Sequence, residues 1–251
     1  MKIPDLRRFT SARVALGRAG HSIPAREFLK LRLAEVYARE AVHSSLDVLR
    51  LEQELAAFQK DILVVQSLAP DRSSYVRRPD WGRCLNEDSR QLLQSRRGCY
   101  DVALAISDGL SANAIHLHAR AFLTAVFSNL FAEEDWKIAP LVIVQQGRVA
   151  IGDEIGELLG ASLSVVLIGE RPGLSAADSL GVYLTWHPCK GLTDADRNCL
   201  SNIRDKGLDY AVAAHRLAFL MREARRLKLS GVGLKEEANL LDRSKMKSVS
   251  R

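Results

Sequence analysis

The stretch Leu141–Leu174, LVIVQQGRVAIGDEIGELLGASLSVVLIGERPGL, decides the fold. Its apolar runs Leu141–Val144 and Leu163–Ile168 are too short and too β-branched for helices, and they are expected to be buried strands. Between them Ile151, Ile155, Leu158 and Leu159 recur at helical spacing. Asp153 and Glu154 fall in the first turn, where carboxylates favour the positive helix end. Gly160 is where this helix should stop. Strand, short helix, strand is a βαβ unit, so the two strands are expected to be parallel with a right-handed crossover. Both then leave the same edge of the sheet through glycine-bearing turns, Gly147-Arg148-Val149 and Gly169-Glu170-Arg171-Pro172-Gly173-Leu174. Ligands on open parallel sheets sit outside the carboxyl ends of the strands.

Working outward, Tyr100–Ile106 is a third strand, apolar on both faces. It ends at Asp108-Gly109-Leu110-Ser111, with Ser111 the expected cap of a long helix through Leu130. Leu180–Trp186 is a further strand. The polar run Thr193–Asn202 suggests a short helix capped by Thr193 or Asp194. Asp209 is placed to cap a final long helix that ends at Ser230-Gly231. On the N-terminal side the first dozen residues look like a loose arm. Ser22 is a candidate cap for a helix with Pro24 in its first turn and an apolar stripe of Phe28, Leu29, Leu31, Leu33, Val36 and Tyr37. Asp47 begins a second helix, and Ile62–Val65 suggests a short strand. Residues 67–80 are expected to form a loop, and 82–96 a helix with Leu85, Leu92 and Leu93 on one side. The result is an α/β fold: a Rossmann-like, mainly parallel open sheet flanked by helices, with an N-terminal helical extension. The expected organisation is an extension over 1–66, a ligand-contacting domain over 67–235 and a charged tail over 236–251.

The 251 residues are 47% hydrophobic, ample for a core. No apolar run reaches the roughly 18 residues of a membrane span, and Met1–Gly20 has no apolar core for a secretory signal. Cys84, Cys99, Cys189 and Cys199 lie far apart without metal-ligand spacing, so reduced thiols and a cytoplasmic setting are expected. The net charge of +6 comes from 36 basic residues interleaved with 30 acidic ones. That pattern indicates solvated helix faces, and 6% aromatics offer no stacking platform for nucleic acid.

No GxGxxG, GxxxxGK[ST] or GxSxG motif occurs. His116 and His118 flank one residue on a helix and point to different faces. What remains is three turns at one sheet edge. Glu170, between glycines that allow close backbone approach, suits a large amide-bearing ligand. On the residues alone, an equal alternative is a tight Arg-Pro-Gly turn with Glu170 paired to Arg171 or Arg148 in solvent.

The strings GRVAIGDEIGELLGASLSVVLIGERPGLSAADSLGVYLTW (147–186) and DADRNCLSNIR (194–204) resemble the small subunit of ethanolamine ammonia-lyase. So do SSYVRRPDWGRCL, DVALAISDGLSANAIHLHA, GRAGHSIPAREFLKLRLAEVYAREAVHSSLDV and LAFLMREARRLKLSGVGLK; together they cover about residues 13–235. The resemblance implies an adenosylcobalamin-dependent lyase that converts ethanolamine to acetaldehyde and ammonia by a radical mechanism. Substrate chemistry would belong to a TIM-barrel large subunit, and this chain would help enclose the cofactor between subunits. The family's assembly is a dodecamer of six heavy and six light chains, in some cases inside a bacterial microcompartment. Carried over, the cobalamin-contacting positions are Val149, Glu170 and Cys199, with no catalytic residue and no metal ligand on this chain. Cys199 would be a small packing group rather than a nucleophile. No DxHxxG motif occurs, in keeping with a family that retains the cofactor's own benzimidazole on cobalt. Two departures stand out: Leu200 where Ile is frequent, and the less typical Trp186–Lys190 loop. The rival readings are a stand-alone Rossmann-like small-molecule enzyme and a basic nucleic-acid-binding module. The missing phosphate motifs weigh against the first, and the interleaved charge against the second.

Overall fold

In a computed structural model of the chain, residues 10, 12–59, 61–132 and 134–235 are described; most of the expected N-terminal arm and the whole 236–251 tail lie outside them. The core is one six-stranded sheet in the order β1-β3-β2-β4-β5-β6. The strands are β1 (Ile62–Gln66), β2 (Tyr100–Ser107), β3 (Leu141–Gln145), β4 (Ala161–Gly169), β5 (Leu180–Trp186) and β6 (Arg197–Ile203). The first four are mutually parallel, and β5 and β6 then run antiparallel as a ribbon on the β4 side. The expected βαβ unit is present, with β2 inserted between its two strands. The strand from the 1–66 segment, β1, is an edge of this same sheet.

The central strands are covered on both faces, which is why their sequences are nearly continuous apolar runs. Val102, Leu104 and Ile106 of β2 face one core, shared with α2 (Val48–Leu55), α5 (Ala112–Val126) and α7 (Tyr210–Leu227). Ala103 and Ala105 face the other, shared with α4 (Glu87–Ser95) and α6 (Ile151–Leu159). Short alanines suit that second face because α6 lies close: a Cβ on Gly152 would come within 2.1 Å of Val166 Cγ2. Gly160 ends α6 in the left-handed region at φ 76°. The caps expected at Asp47, Ser111 and Asp209 each accept backbone N–H groups.

Several expectations are corrected. Pro24, not Ser22, precedes the first helical residue of α1 (Ala25–His43), and no side chain caps it. Residues 67–80 are not merely a loop: Asp71 caps a short helix, α3 (Arg72–Arg77), which buries Tyr75. The following helix starts only at Glu87, capped by Asn86, and Leu92 is exposed while Leu85 and Leu93 are buried. The helix suggested within Thr193–Asn202 is a single 3-10 turn, Asp194–Asp196, and the rest is strand β6. Asp153 and Glu154 do lie in the first turn of α6, and both are buried there, against Arg197 and against Arg90 with Lys190. The stripe on α1 faces solvent, with Phe28, Leu29, Leu33, Val36 and Tyr37 between 48 and 65% exposed.

Candidate functional site

The turns after β2, β3 and β4 share the carboxyl edge of the sheet, but they divide into a sealed half and an open half. The sealed half is Asp108-Gly109. Asp108 is only 1% exposed. Its carboxylate accepts from Gly147 N at 3.3 Å and pairs with Arg72, whose guanidinium also donates to Gly109 O at 2.7 Å and Gln146 Oε1 at 3.2 Å. The Tyr75 hydroxyl donates to Gly147 O at 3.0 Å. Burial pushes Asp108 up to about 6, with Arg72 pulling the other way. A pKa there suits proton transfer, yet α3 plugs the position. The Asp108-Gly109 turn is therefore packed shut and holds this edge of the sheet together.

The open half is built by β4, β5 and β6. Along β5, Leu180, Val182 and Leu184 face the α5/α7 core, so Gly181, Tyr183 and Thr185 face the other side. In the register Tyr183 lies opposite Cys199, and Thr185 opposite Arg197. On this side Thr185 and Arg197 are buried against Asp153 of α6, while Cys199 and Ser201, farther along the strand, stand exposed on a two-stranded shelf. Glu170 leaves β4 at the rim of that shelf. Its Oε1 accepts from Ser201 Oγ at 2.5 Å and its Oε2 from the Asn202 backbone N–H at 3.1 Å. Gly181 makes room for it: a Cβ there would be 3.0 Å from Glu170 Cγ and Oε1. Among the described residues no ion pair joins Glu170 to Arg148 or Arg171; the Arg148 guanidinium lies over the Tyr75 ring, 4.2 Å from its centroid. The solvated-pair alternative for Glu170 is thereby replaced by a carboxylate oriented by the β6 strand.

Val149 sits in the turn before α6, half-buried, and packs against the same core cluster as Tyr183. Tyr183 lies directly opposite Cys199 across the β5–β6 ladder. Burial raises both above their ordinary values, so the thiol is held neutral. The three expected residues thus belong to one face: Glu170 at the rim, Cys199 on the shelf and Val149 at the apolar wall. Tyr183, Ser201 and Asn202 complete the face and were not singled out from the sequence. Tyr183 lies in the apolar run of β5, and the β6 run RNCLSNI, buried at Arg197, Leu200 and Ile203, lacks the regular alternation that would mark Ser201 and Asn202. His116 and His118 do point apart: His116 Nε2 accepts from Asp47 N at 3.0 Å, while His118 Nδ1 lies 2.8 Å from the Tyr210 hydroxyl.

A mixed, mostly parallel open sheet of six strands flanked by helices, its carboxyl edge filled by Arg72, Tyr75 and Asp108 on one side and exposed at Cys199 and Ser201 on the other, defines a Rossmann-like α/β protein. Residues 2–235 match the family model described as ethanolamine ammonia-lyase light chain (EutC). The ethanolamine ammonia-lyase small subunit of Pseudomonas fluorescens (strain Pf0-1) is 53% identical over 240 residues, 94% of this chain and 87% of the relative. That of Pseudomonas putida (strain KT2440) is 54% identical over 239 residues, 94% and 88% of the two chains. The chain belongs to the ethanolamine ammonia-lyase small-subunit family. A small subunit implies a large one, and no helix among the described residues is long and apolar enough to cross a membrane.

Proposed function

We propose that this chain holds adenosylcobalamin against the β5–β6 shelf, at the interface with a TIM-barrel large subunit that carries the substrate chemistry. The observation that supports this most directly is the uncovered shelf with Glu170 fixed at its rim. A corrin is broad and edged with amides, so it fits an open strand surface better than a narrow pocket. A carboxylate has about four lone-pair sites. Ser201 and Asn202 engage Glu170 from one side, which leaves capacity to accept amide N–H bonds from a corrin edge. Cys199, neutral and small, and Val149 give the ring close apolar contact without a competing ligand for cobalt. When bound, the cofactor supplies radical chemistry through its cobalt–carbon bond. The chain's own part is to orient the corrin and exclude water from one side.

The same reading gives α1 a role. Its exposed stripe lies beside the 170–178 loop: Tyr37 and Ala41 line a cavity of about 560 Å³ together with Ala177 and Asp178. Arg13 further ties the N-terminal segment to the loop by donating to Leu174 O at 3.0 Å. Stripe and shelf thus both adjoin the 170–178 loop, and the large subunit covers both, in an assembly of six chains of each kind. A cytoplasmic complex, enclosed in a microcompartment where one is made, follows from the same reading.

The test is co-expression with a candidate large subunit, addition of adenosylcobalamin, and measurement of corrinoid retention and ethanolamine deamination. Glu170→Ala should weaken retention by about 10- to 100-fold, the worth of one charge-assisted hydrogen bond, with unfolding of the chain little changed. A colourless, inactive mixture with the unaltered chain, or full retention by Glu170→Ala, refutes the proposal.

A further inference from the structure

Beside Val149 lies a second recess, of about 400 Å³, walled by Arg83, Arg148, Arg197 and Asp194. It adjoins the shelf, because Arg197 faces the same side of β6 as Cys199 two residues on. Its cations are held in unusual ways. Arg83 is exposed and Arg148 half-buried, and no carboxylate pairs with either among the described residues. Arg148 packs on Tyr75, and its Nε is buried without a hydrogen-bond partner. Arg197, 3% exposed at its side chain, pairs with Asp153 and Asp194, yet its Nε is also buried and unpartnered. Buried guanidinium N–H groups without an acceptor are costly, and they mark a place where an acceptor belongs. Three arginines against two aspartates, Asp153 behind the recess and Asp194 at its mouth, leave one positive charge over.

We propose that this recess takes a singly charged phosphate group. In the loaded complex that group is the phosphodiester joining the nucleotide tail of cobalamin to the corrin. This assignment rests on the cofactor reading above and extends it from the corrin rim to the tail. A phosphodiester carries one negative charge at neutral pH, which matches the single excess charge, and its oxygens suit planar guanidinium donors. Val149, which lines the recess and abuts the shelf, then stands where ring and tail meet.

The experiment compares two corrinoids on the assembled two-subunit complex: adenosylcobalamin, and adenosylcobinamide, which keeps the corrin but lacks the nucleotide tail and its phosphate. Binding is read by absorbance titration in phosphate-free buffer. Arg83→Gln and Arg148→Gln should each weaken adenosylcobalamin about tenfold and leave adenosylcobinamide within about twofold, while Arg83→Lys retains most of the affinity. Equal losses for both corrinoids, or no loss for either, overturn the proposal. So does unaltered protein that binds the two alike and responds only to added inorganic phosphate, since the recess would then serve a free anion. Glu170→Ala separates the two readings, because it should weaken both corrinoids. If it does so while the arginine variants do not discriminate, the recess assignment fails and the shelf stands. If it affects neither, the shelf reading itself fails.

Discussion

Replacing Arg197 by methionine should destabilise the chain far more than a surface arginine would. Arg197 begins β6, and its guanidinium binds Asp153 in the first turn of α6; the side chains are 3% and 4% exposed. The same group donates to Leu192 O at 3.1 Å and to Asp194 at 3.2 Å. Removing one partner of such a pair leaves a buried carboxylate with no counter-charge, at a cost of about 3–5 kcal/mol. Unfolding entropy of roughly 2.1 cal/mol/K per residue makes about 0.5 kcal/mol per degree for a chain of this size, so the midpoint should fall by about 6–10 °C. Burial already holds Asp153 above the usual carboxylate range despite Arg197, and without Arg197 it should rise further. A carboxylate whose folded pKa is raised contributes its full stability below the unfolded value and loses it as pH climbs through the folded value. The deficit of Arg197→Met should therefore be small near pH 4 and grow toward pH 8. The double variant Asp153→Leu/Arg197→Met, which removes both charges, should recover most of the loss. Urea unfolding of the four proteins across pH is the assay. A single-variant cost below about 1 kcal/mol, or strictly additive losses, would show that the pair does not join β6 to α6 as argued.

Asp108 gives a second pH dependence of the same sign. Its carboxyl is raised from 3.8 to about 6 by burial, so its contribution should fade between about pH 4 and 6, by up to about 3 kcal/mol. Asp108→Asn should flatten that part of the stability profile, and an unchanged slope would contradict the assignment. Gly152→Ala places a methyl 2.1 Å from Val166 Cγ2, and overpacking of about 1–3 kcal/mol should outweigh the helix-propensity gain of about 1 kcal/mol. An unchanged or higher midpoint would mean that α6 can move off β4 freely. Leu33→Asp with Val36→Asp, on the exposed α1 stripe, should leave unfolding of the isolated chain within about 0.5 kcal/mol yet weaken co-purification with the large subunit. Undiminished co-purification would remove α1 from the interface.

What could be read in the sequence was what burial on both faces makes visible. The β2, β3 and β4 runs and the stop at Gly160 stand out because a parallel strand under two helix layers has no polar side, and a left-handed C-cap favours glycine. Strand β6 was hidden for the opposite reason. One face of Arg197-Asn198-Cys199-Leu200-Ser201-Asn202-Ile203 meets the core through Leu200 and Ile203 while the other is shelf, so its composition imitates a polar loop. Helix α3 was hidden by its own chemistry: Ser, Arg and Pro around Tyr75 suggest a turn, and only the docking of Tyr75 onto Gly147 makes it a helix. Glu170 was visible as an unusual carboxylate between glycines. Its orientation depends on Ser201 and Asn202, some thirty residues away, and no local pattern carries that.

The distribution of covered and uncovered surface explains why the binding face lies where it does. A self-contained doubly wound enzyme covers both faces of its sheet and binds at the crevice between strand ends. Here that crevice, between the ends of β2 and β3, is filled by Arg72, Tyr75 and Asp108. On the α4/α6 side the helix layer reaches β5 and β6 only at the Thr185/Arg197 end, through Asp153, and beyond it β5 and β6 continue as a ribbon with no crossover to bring a further helix onto that side. An exposed edge strand invites pairing with other chains, and β6 blunts that hazard partly with exposed Ser201 and Asn202 and partly with cover, since the Asn198 side chain is hydrogen-bonded to Gly231 and Leu234. Such a face can stay exposed because it is polar, and the proposed corrin would cover it. The sealed crevice and the open ribbon both support the proposed reading, in which this chain offers one wall of a binding site and the large subunit the other.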